Sequence, residues 1–261
     1  MAKWDYHHID YGAIDRARIR SNDDLFKLVA VASFIEITSD LYEKNLAAFY
    51  EGDGELTAWL SGVWEPEEVQ HGRALRRYVE TVWPAFDWEK AYEGFRKEYG
   101  AMCTVGAFQP TRAGEMVARM VVETGTSTFY RALRAYAEEL GEPVLARIAA
   151  NIGKDEVHHF EHFENAFLRY NEAEKLTRAD ITKIILTRLR EASDEDVRIA
   201  LAHIRPGDSF EAMRGWMKGY AKKYYPYTMA VKMLMRPLRL NPLVESAAAA
   251  TLRGGLKVFG I

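Results

Sequence analysis

The feature that most constrains the fold of this chain is a set of acidic and histidine residues that occurs twice. Each set is a single glutamate followed by a Glu-x-x-His: Glu36 with Glu68 and His71, then Glu123 with Glu156 and His159. The second glutamate comes 87 residues after the first, and the second Glu-x-x-His comes 88 residues after its counterpart. Residues three apart share one face of an α-helix, so each Glu-x-x-His can present both side chains to one point. The repeat therefore predicts two equivalent pairs of helices.

Both single glutamates lie in apolar sequence. Residues 28–35 precede Glu36 and are apolar except for one serine, and Met120, Val121 and Val122 precede Glu123. A carboxylate on an apolar helix face is costly unless an opposite charge pairs with it. An arginine is the ordinary partner, but the duplication of all six residues favours metal ions. Carboxylates with imidazoles form a mixed oxygen and nitrogen ligand set that suits iron or manganese.

The helical pattern extends over the whole chain, and no segment shows the alternation of a strand. We predict these helices: Asp23 to about Tyr50, Glu55 to Val82 with a kink or restart at Pro66, Asp87 to Tyr99, Thr111 or Arg112 to Leu140, Glu142 or Pro143 to Asn171, 178–192, 208–235, and a short last segment from Ala247. Four long helices that carry this ligand set are typical of ferritin-like bundles. We expect one all-α domain over 1–261, with a four-helix core over 23–172 and additional C-terminal helices over 177–261.

Composition argues against nucleic-acid-binding, disulfide-rich, secreted and membrane-spanning proteins. The formal charge of −3 over 261 residues gives no footprint of nucleic-acid binding. A single cysteine excludes an intrachain disulfide framework. The first residues lack the apolar core of a signal peptide, and no uncharged apolar run is long enough to span a membrane. We therefore expect a cytoplasmic protein.

Basic residues are concentrated toward the C-terminus. From Arg214 onward the chain has nine lysines and arginines but one acidic residue, Glu245. Such asymmetry favours an acidic partner or a peripheral contact with an anionic membrane. Packing of this basic segment on the acidic remainder of the chain is an equal alternative.

Three motifs resemble those of the soluble acyl-carrier-protein desaturases. Glu-Glu-Val-Gln-His-Gly at 67–72 is similar to the family's E-E-x-R-H-G, Asp-Glu-Val-His-His at 155–159 to D-E-x-R-H, and Glu-Thr-Gly-Thr at 123–126 to E-x-x-T. The resemblance covers roughly residues 25–170. The arginine before each ligand histidine is missing, since Gln70 and His158 stand there. This departure leaves the ligand set intact but puts the substrate and the reaction outcome in question.

The resemblance implies an oxygen-dependent oxidoreductase with two Fe ions, or Mn, that abstracts a C–H hydrogen from a fatty acyl chain. Desaturation or hydroxylation would follow. The implied partners are an acyl carrier protein or another acyl carrier, an electron donor such as ferredoxin, and a second copy of the chain in a homodimer. Two alternatives stay open: another ferritin-like oxygenase, of the aldehyde-deformylating or N-oxygenating type, and non-enzymatic iron storage or peroxide detoxification.

The resemblance also implies roles around the metals. Thr126, one turn after Glu123, would be a catalytic residue that donates a hydrogen bond to bound peroxide or water; back-bonding within its own helix is the alternative. Glu67 and Asp155 would hold the free N–H of a ligand histidine, with Asp155 orienting His71. Exposed helix acids are the alternative for both. Trp4 is a candidate electron relay.

Overall fold

The computed structural model describes residues 4–103, 108–191 and 195–241. Every regular element in these ranges is helical, which confirms the predicted all-α class. The α-helices are α1 Arg16–Ile19, α2 Asp23–Ile37, α3 Ser39–Phe49, α4 Gly54–Trp59, α5 Glu65–Val82, α6 Trp88–Gly100, α7 Arg112–Glu139, α8 Pro143–Glu174, α9 Arg178–Glu191, α10 Glu195–Ile204, α11 Phe210–Tyr224 and α12 Tyr227–Met235. None of these helices combines the length and apolar character needed to cross a bilayer. The expected segment from Ala247 lies outside the described residues.

The chain divides into two compact units. The first comprises residues 1–107, 137–151 and 194–214, and the second comprises 108–136, 152–193 and 215–261. Helices α7 and α8 contribute residues to both units. The expectation of a single domain over 1–261 stays a prediction.

In the first unit, α2 packs along α5, and α10 packs against α6 and α2. The side chains of Asn22, Asp53 and Asp87 accept hydrogen bonds from the first turns of α2, α4 and α6 and so fix where these helices begin. Gly72 lets α5 approach α2 closely, because a Cβ atom there would lie 2.6 Å from the backbone nitrogen of Ile37. This approach sets the position of the residues that flank the contact, Glu36 and His71.

The predicted helix from Asp23 to Tyr50 is broken at Thr38. Thr38 has a ψ of 1° and its hydroxyl donates a 2.7 Å hydrogen bond to the Phe34 carbonyl, so α3 starts afresh at Ser39. The predicted helix from Glu55 to Val82 contains a π-helical turn over Leu60–Trp64 before α5. Pro66 has no N–H to donate to Gly62, and the wider turn keeps its ring away from that carbonyl. Pro66 therefore stands in the first turn of α5, as in the restart alternative.

The second unit contains the middle of the chain and its C-terminal helices. The Glu174 carboxylate accepts hydrogen bonds from the Arg112 and Ala113 amides at the start of α7. Buried Glu115 pairs with Arg119 at 2.9 Å and with Arg188 of α9 at 3.6 Å. An aromatic cluster joins α7 to α11 through Tyr136, Trp216, Tyr220 and Tyr224.

Two predictions in the C-terminal part were wrong in detail. The helix expected over 208–235 is two helices, because Pro226 has no N–H to continue the hydrogen bonding of α11. Helix α10 was not predicted, although Ile199, Ala200, Leu201 and Ile204 form its buried face. At ten residues it is too short for its periodicity to stand out in sequence.

Candidate metal centre

The first unit contains the first Glu/His set in full. Glu36 projects from α2, and Glu68 and His71 project from one face of α5. Their exposed fractions are 5%, 7% and 0%. One ligand atom from each residue lies within 4.8 Å of the other two, and His71 Nδ1 is 3.5 Å from Glu36 Oε2. Close contact between α2 and α5 at Gly72 brings the single glutamate to the Glu-x-x-His pair, as the spacing predicted.

The second unit contains the second set in the same form. Glu123 projects from α7, and Glu156 and His159 project from one face of α8. Their exposed fractions are 2%, 0% and 1%. Their ligand atoms also lie within 4.8 Å of one another. His159 Nδ1 is 3.8 Å from Glu123 Oε2 and 3.7 Å from Glu156 Oε2.

The chemistry of each set fits a metal ion. Two carboxylates and one imidazole converge at distances that exceed a hydrogen bond but suit atoms arranged around a shared cation. Burying two carboxylates together is costly unless positive charge compensates them, and one histidine supplies at most one charge. Each unit therefore holds a buried group able to bind an ion, and the two groups have identical ligands.

Thr126 contacts a member of the second set. Its hydroxyl donates a 2.8 Å hydrogen bond to Glu156 Oε2, and it also lies 3.2 Å from the Glu123 carbonyl. Thr126 is half-buried, whereas Glu156 is fully buried. The single hydroxyl proton can serve only one of these acceptors, and the shorter contact is the one to the candidate ligand Glu156. Its catalytic role stays a prediction.

The remaining residues proposed from the sequence, Glu67, Asp155 and Trp4, lie next to members of the two sets, either in sequence or in space. Glu67 and Asp155 are half-buried, each one residue before a candidate ligand, and their roles toward the histidines stay predictions. Trp4 stacks on His71, with ring centroids 6.0 Å apart and an interplanar angle of 7°. The position of Trp4 could not be predicted from its spacing, because an N-terminal segment has no fixed distance in sequence from the helix it contacts. Sequence reasoning missed the role of Gly72 in the helix contact, although the glycine is part of the motif at 67–72.

Comparison with known proteins identifies the fold. No protein-family model and no curated protein matches the chain. Among solved structures, two variants of an R2-like ligand-binding oxidase with an aerobically reconstituted Mn/Fe cofactor match with a TM-score of 0.55 and 17% identity. The match covers 98% of this chain and 88% or 87% of the other chain.

These structural neighbours are helical-bundle oxidases of the ferritin-like superfamily. At 17% identity the likeness shows the fold alone. The ferritin-like fold predicted from the ligand spacing is thereby confirmed.

Proposed function

We propose that this chain is a metal-dependent oxidoreductase in which each Glu/His set holds one metal ion, two Fe or one Mn and one Fe in all. The observation that carries the proposal is that each compact unit buries the same three ligand types within 4.8 Å. The Mn/Fe cofactor of the R2-like ligand-binding oxidases supports the choice of metals. Three protein ligands per ion leave coordination positions for carboxylate bridges and for exogenous ligands.

The bound pair would supply the electrons that reduce dioxygen and the oxidising power that attacks a C–H bond. The chain's own residues hold and shape this site. Glu36, Glu68 and His71 would hold one ion, and Glu123, Glu156 and His159 the other. The Thr126 hydroxyl fixes the orientation of Glu156 Oε2 and offers a proton at Oγ1 beside it. The Trp4 ring lies parallel to the His71 ring, with the ring centroids 6.0 Å apart.

For the substrate we propose a fatty acyl chain, presented as a carrier-bound thioester and desaturated or hydroxylated. The three motifs at 67–72, 123–126 and 155–159 support this proposal through their resemblance to the desaturases. A ferredoxin-type electron donor and a homodimer belong to the same proposal. The Gln70 and His158 departures favour the second candidate, a ferritin-like oxygenase with another substrate.

Metal loading tests whether both Glu/His sets bind metal. Purified protein incubated anaerobically with Fe(II), or with Mn(II) and Fe(II), should retain about two ions per chain, as the ligand set requires. Glu36→Ala and Glu123→Ala each remove one carboxylate from a different set and should each lower the metal content. Glu161→Ala removes an exposed carboxylate from α8 and serves as the control. Unchanged metal content in both ligand variants would refute the assignment.

Product analysis then separates the two candidate reactions. The metal-loaded enzyme is given a reductant, oxygen and an acyl carrier thioester, and the acyl product is weighed by mass spectrometry. Loss of two hydrogens indicates desaturation, and gain of one oxygen indicates hydroxylation. If protein that carries two metals consumes oxygen but leaves the acyl chain unchanged, the result supports the second candidate, an oxygenase with another substrate.

A further inference from the structure

Helix α8 carries a pair of histidines that belongs to neither Glu/His set. His158 and His162 are four residues apart in the part of α8 that lies in the second unit; His158 is exposed and His162 is half-buried. His159 stands between them in sequence, but it is 1% exposed and belongs to the second set. The pair therefore lies on a different face of α8 from the candidate ligands, and the proposed function does not use it.

Helix geometry holds the two imidazoles side by side. Side chains four residues apart are neighbours on a helix surface, with Cβ atoms about 5–6 Å apart. Both histidines stand in the interior of α8, which is continuous over Pro143–Glu174. Two histidines at this spacing on one helix can each offer a ring nitrogen to the same cation, as in helical zinc sites. The helix backbone fixes the spacing before an ion binds, so little ordering of the ligands is left to oppose binding.

The other histidines of the chain form no such pair. Of the seven histidines, two belong to the Glu/His sets. His203 lies within hydrogen-bonding distance of a carboxylate on α6. His7 and His8 are exposed but adjacent in sequence, and adjacent residues of a helical turn do not face one another. Only the two histidines on the surface of α8 are spaced four residues apart.

The charged residues beside the pair have a negative sum, which favours a cation. Asp155 is half-buried one turn before His158, and exposed Glu161 is the neighbour of His162 in sequence. Lys154 is exposed and also lies one turn before His158. Its long, flexible side chain can extend into solvent, away from a bound ion.

The ligand type selects the metal. The buried sets offer two carboxylates for each imidazole, whereas the pair on α8 offers imidazole nitrogens. Nitrogen sites of this kind bind Ni(II), Cu(II) and Zn(II) more tightly than Mn(II). We propose that His158 and His162 bind one late first-row divalent cation, with water at its remaining coordination positions. This surface site is separate from the two Glu/His sets and does not depend on the proposed function.

Calorimetric titration with Ni(II) tests the surface site. Because the buried sets bind metal as well, the signal of the pair is the difference between the wild type and His158→Ala/His162→Ala. The double variant should bind about one Ni(II) ion per chain fewer than the wild type. His7→Ala/His8→Ala removes the same number of imidazoles and should bind like the wild type. With Mn(II), the wild type and His158→Ala/His162→Ala should differ little, since two imidazoles hold this ion weakly.

Moving one histidine separates chelation from the mere number of imidazoles. In the His162→Ala background, Lys154→His recreates a spacing of four residues with His158 at an exposed position and should restore Ni(II) binding. In the same background, Asn165→His also supplies a second exposed imidazole, but it lies seven residues from His158, about 10 Å along the helix. This variant should not restore binding.

Circular dichroism checks that all variants stay folded. His158→Ala alone, at an exposed position, tests the same site if the loss of His162 disturbs α8. Equal Ni(II) binding by the wild type and His158→Ala/His162→Ala would overturn the proposal. Equal restoration by Lys154→His and Asn165→His would also overturn it, because the number of imidazoles and not their spacing would then decide binding.

Discussion

The closest helix contact in the first unit gives the sharpest test of how the candidate site is built. A Cβ atom at Gly72 would lie 2.3 Å from Ile37 Cγ1 and 2.6 Å from the Ile37 backbone nitrogen. Ordinary contacts between carbon atoms are about 3.5–4.0 Å, so each atom is roughly 1 Å too near. The Ile37 side chain is β-branched and stiff, and its backbone nitrogen cannot rotate away. Gly72→Ala must therefore push α2 and α5 apart.

The size of the effect follows from two opposing terms. Inserting a methyl group into a packed contact typically costs about 1–3 kcal/mol. Replacing glycine by alanine inside a helix gains about 1 kcal/mol. We expect Gly72→Ala to destabilise the fold by up to about 2 kcal/mol, the difference of these terms. Metal affinity should fall as well, because ligand distances tolerate changes of only about 0.2 Å and Glu36 and His71 flank the contact.

Gly125 provides the matched control. It lies in α7, and a Cβ atom there would meet nothing within 4 Å. Gly125→Ala should therefore stabilise the protein by up to about 1 kcal/mol through helix propensity alone. The assay is chemical denaturation of both variants, with metal content measured after loading. If Gly72→Ala were as stable as Gly125→Ala and bound as much metal, the close approach of α2 and α5 would not be what positions the first set.

Two further predictions concern single side chains. Thr126→Val keeps the side-chain volume but removes the hydroxyl that donates to Glu156. The metal content should stay the same, whereas the oxygen consumed per molecule of product should rise. An unchanged ratio of oxygen consumed to product formed would mean that Thr126 has only a structural role. Burial raises the pKa of Asp23, but hydrogen bonds from Lys27 and Arg205 outweigh it and hold this pKa below its usual value. The stabilisation is therefore present above about pH 4 and lost as the pH falls through the lowered pKa, and Asp23→Asn should flatten the stability profile there. A profile unchanged by Asp23→Asn would contradict this.

The sequence was sufficient to predict the helical class and which glutamates and histidine lie together in each buried group. Both depend on spacing within one helix or between neighbours in the chain, which the 3.6-residue period fixes. The three-residue interval from Glu68 to His71 puts both on one face of α5 wherever that helix lies. Burial of the single glutamates also followed from their apolar neighbours.

The breaks within helices were harder to predict, because they depend on hydrogen bonds that compete locally with the regular pattern. Nothing in the periodicity of residues 23–50 distinguishes Thr38 from a threonine that simply back-bonds within a continuous helix. The π-helical turn before Pro66 is one of two ways to accommodate the proline, and sequence alone left both open. The contact between Trp4 and His71 joins segments that are far apart in sequence, and no regular spacing predicts such a contact.

The break at Thr38 explains why the two sets of candidate ligands have different surroundings. Ser39 and Thr126 each follow a single glutamate by three residues, so the hydroxyl is duplicated along with the ligands. Helix α7 is continuous through Thr126, which delivers its hydroxyl to Glu156. In the first unit the helix stops at Thr38, so Ser39 begins α3 instead, and its buried hydroxyl makes no hydrogen bond within the described residues. The two candidate sets thus offer the same residue types but differ at this duplicated hydroxyl: Thr126 donates to Glu156, whereas Ser39 donates to no group in the described residues. We therefore expect removal of the hydroxyl by Thr126→Val to affect oxygen chemistry, and Ser39→Ala to leave it unchanged.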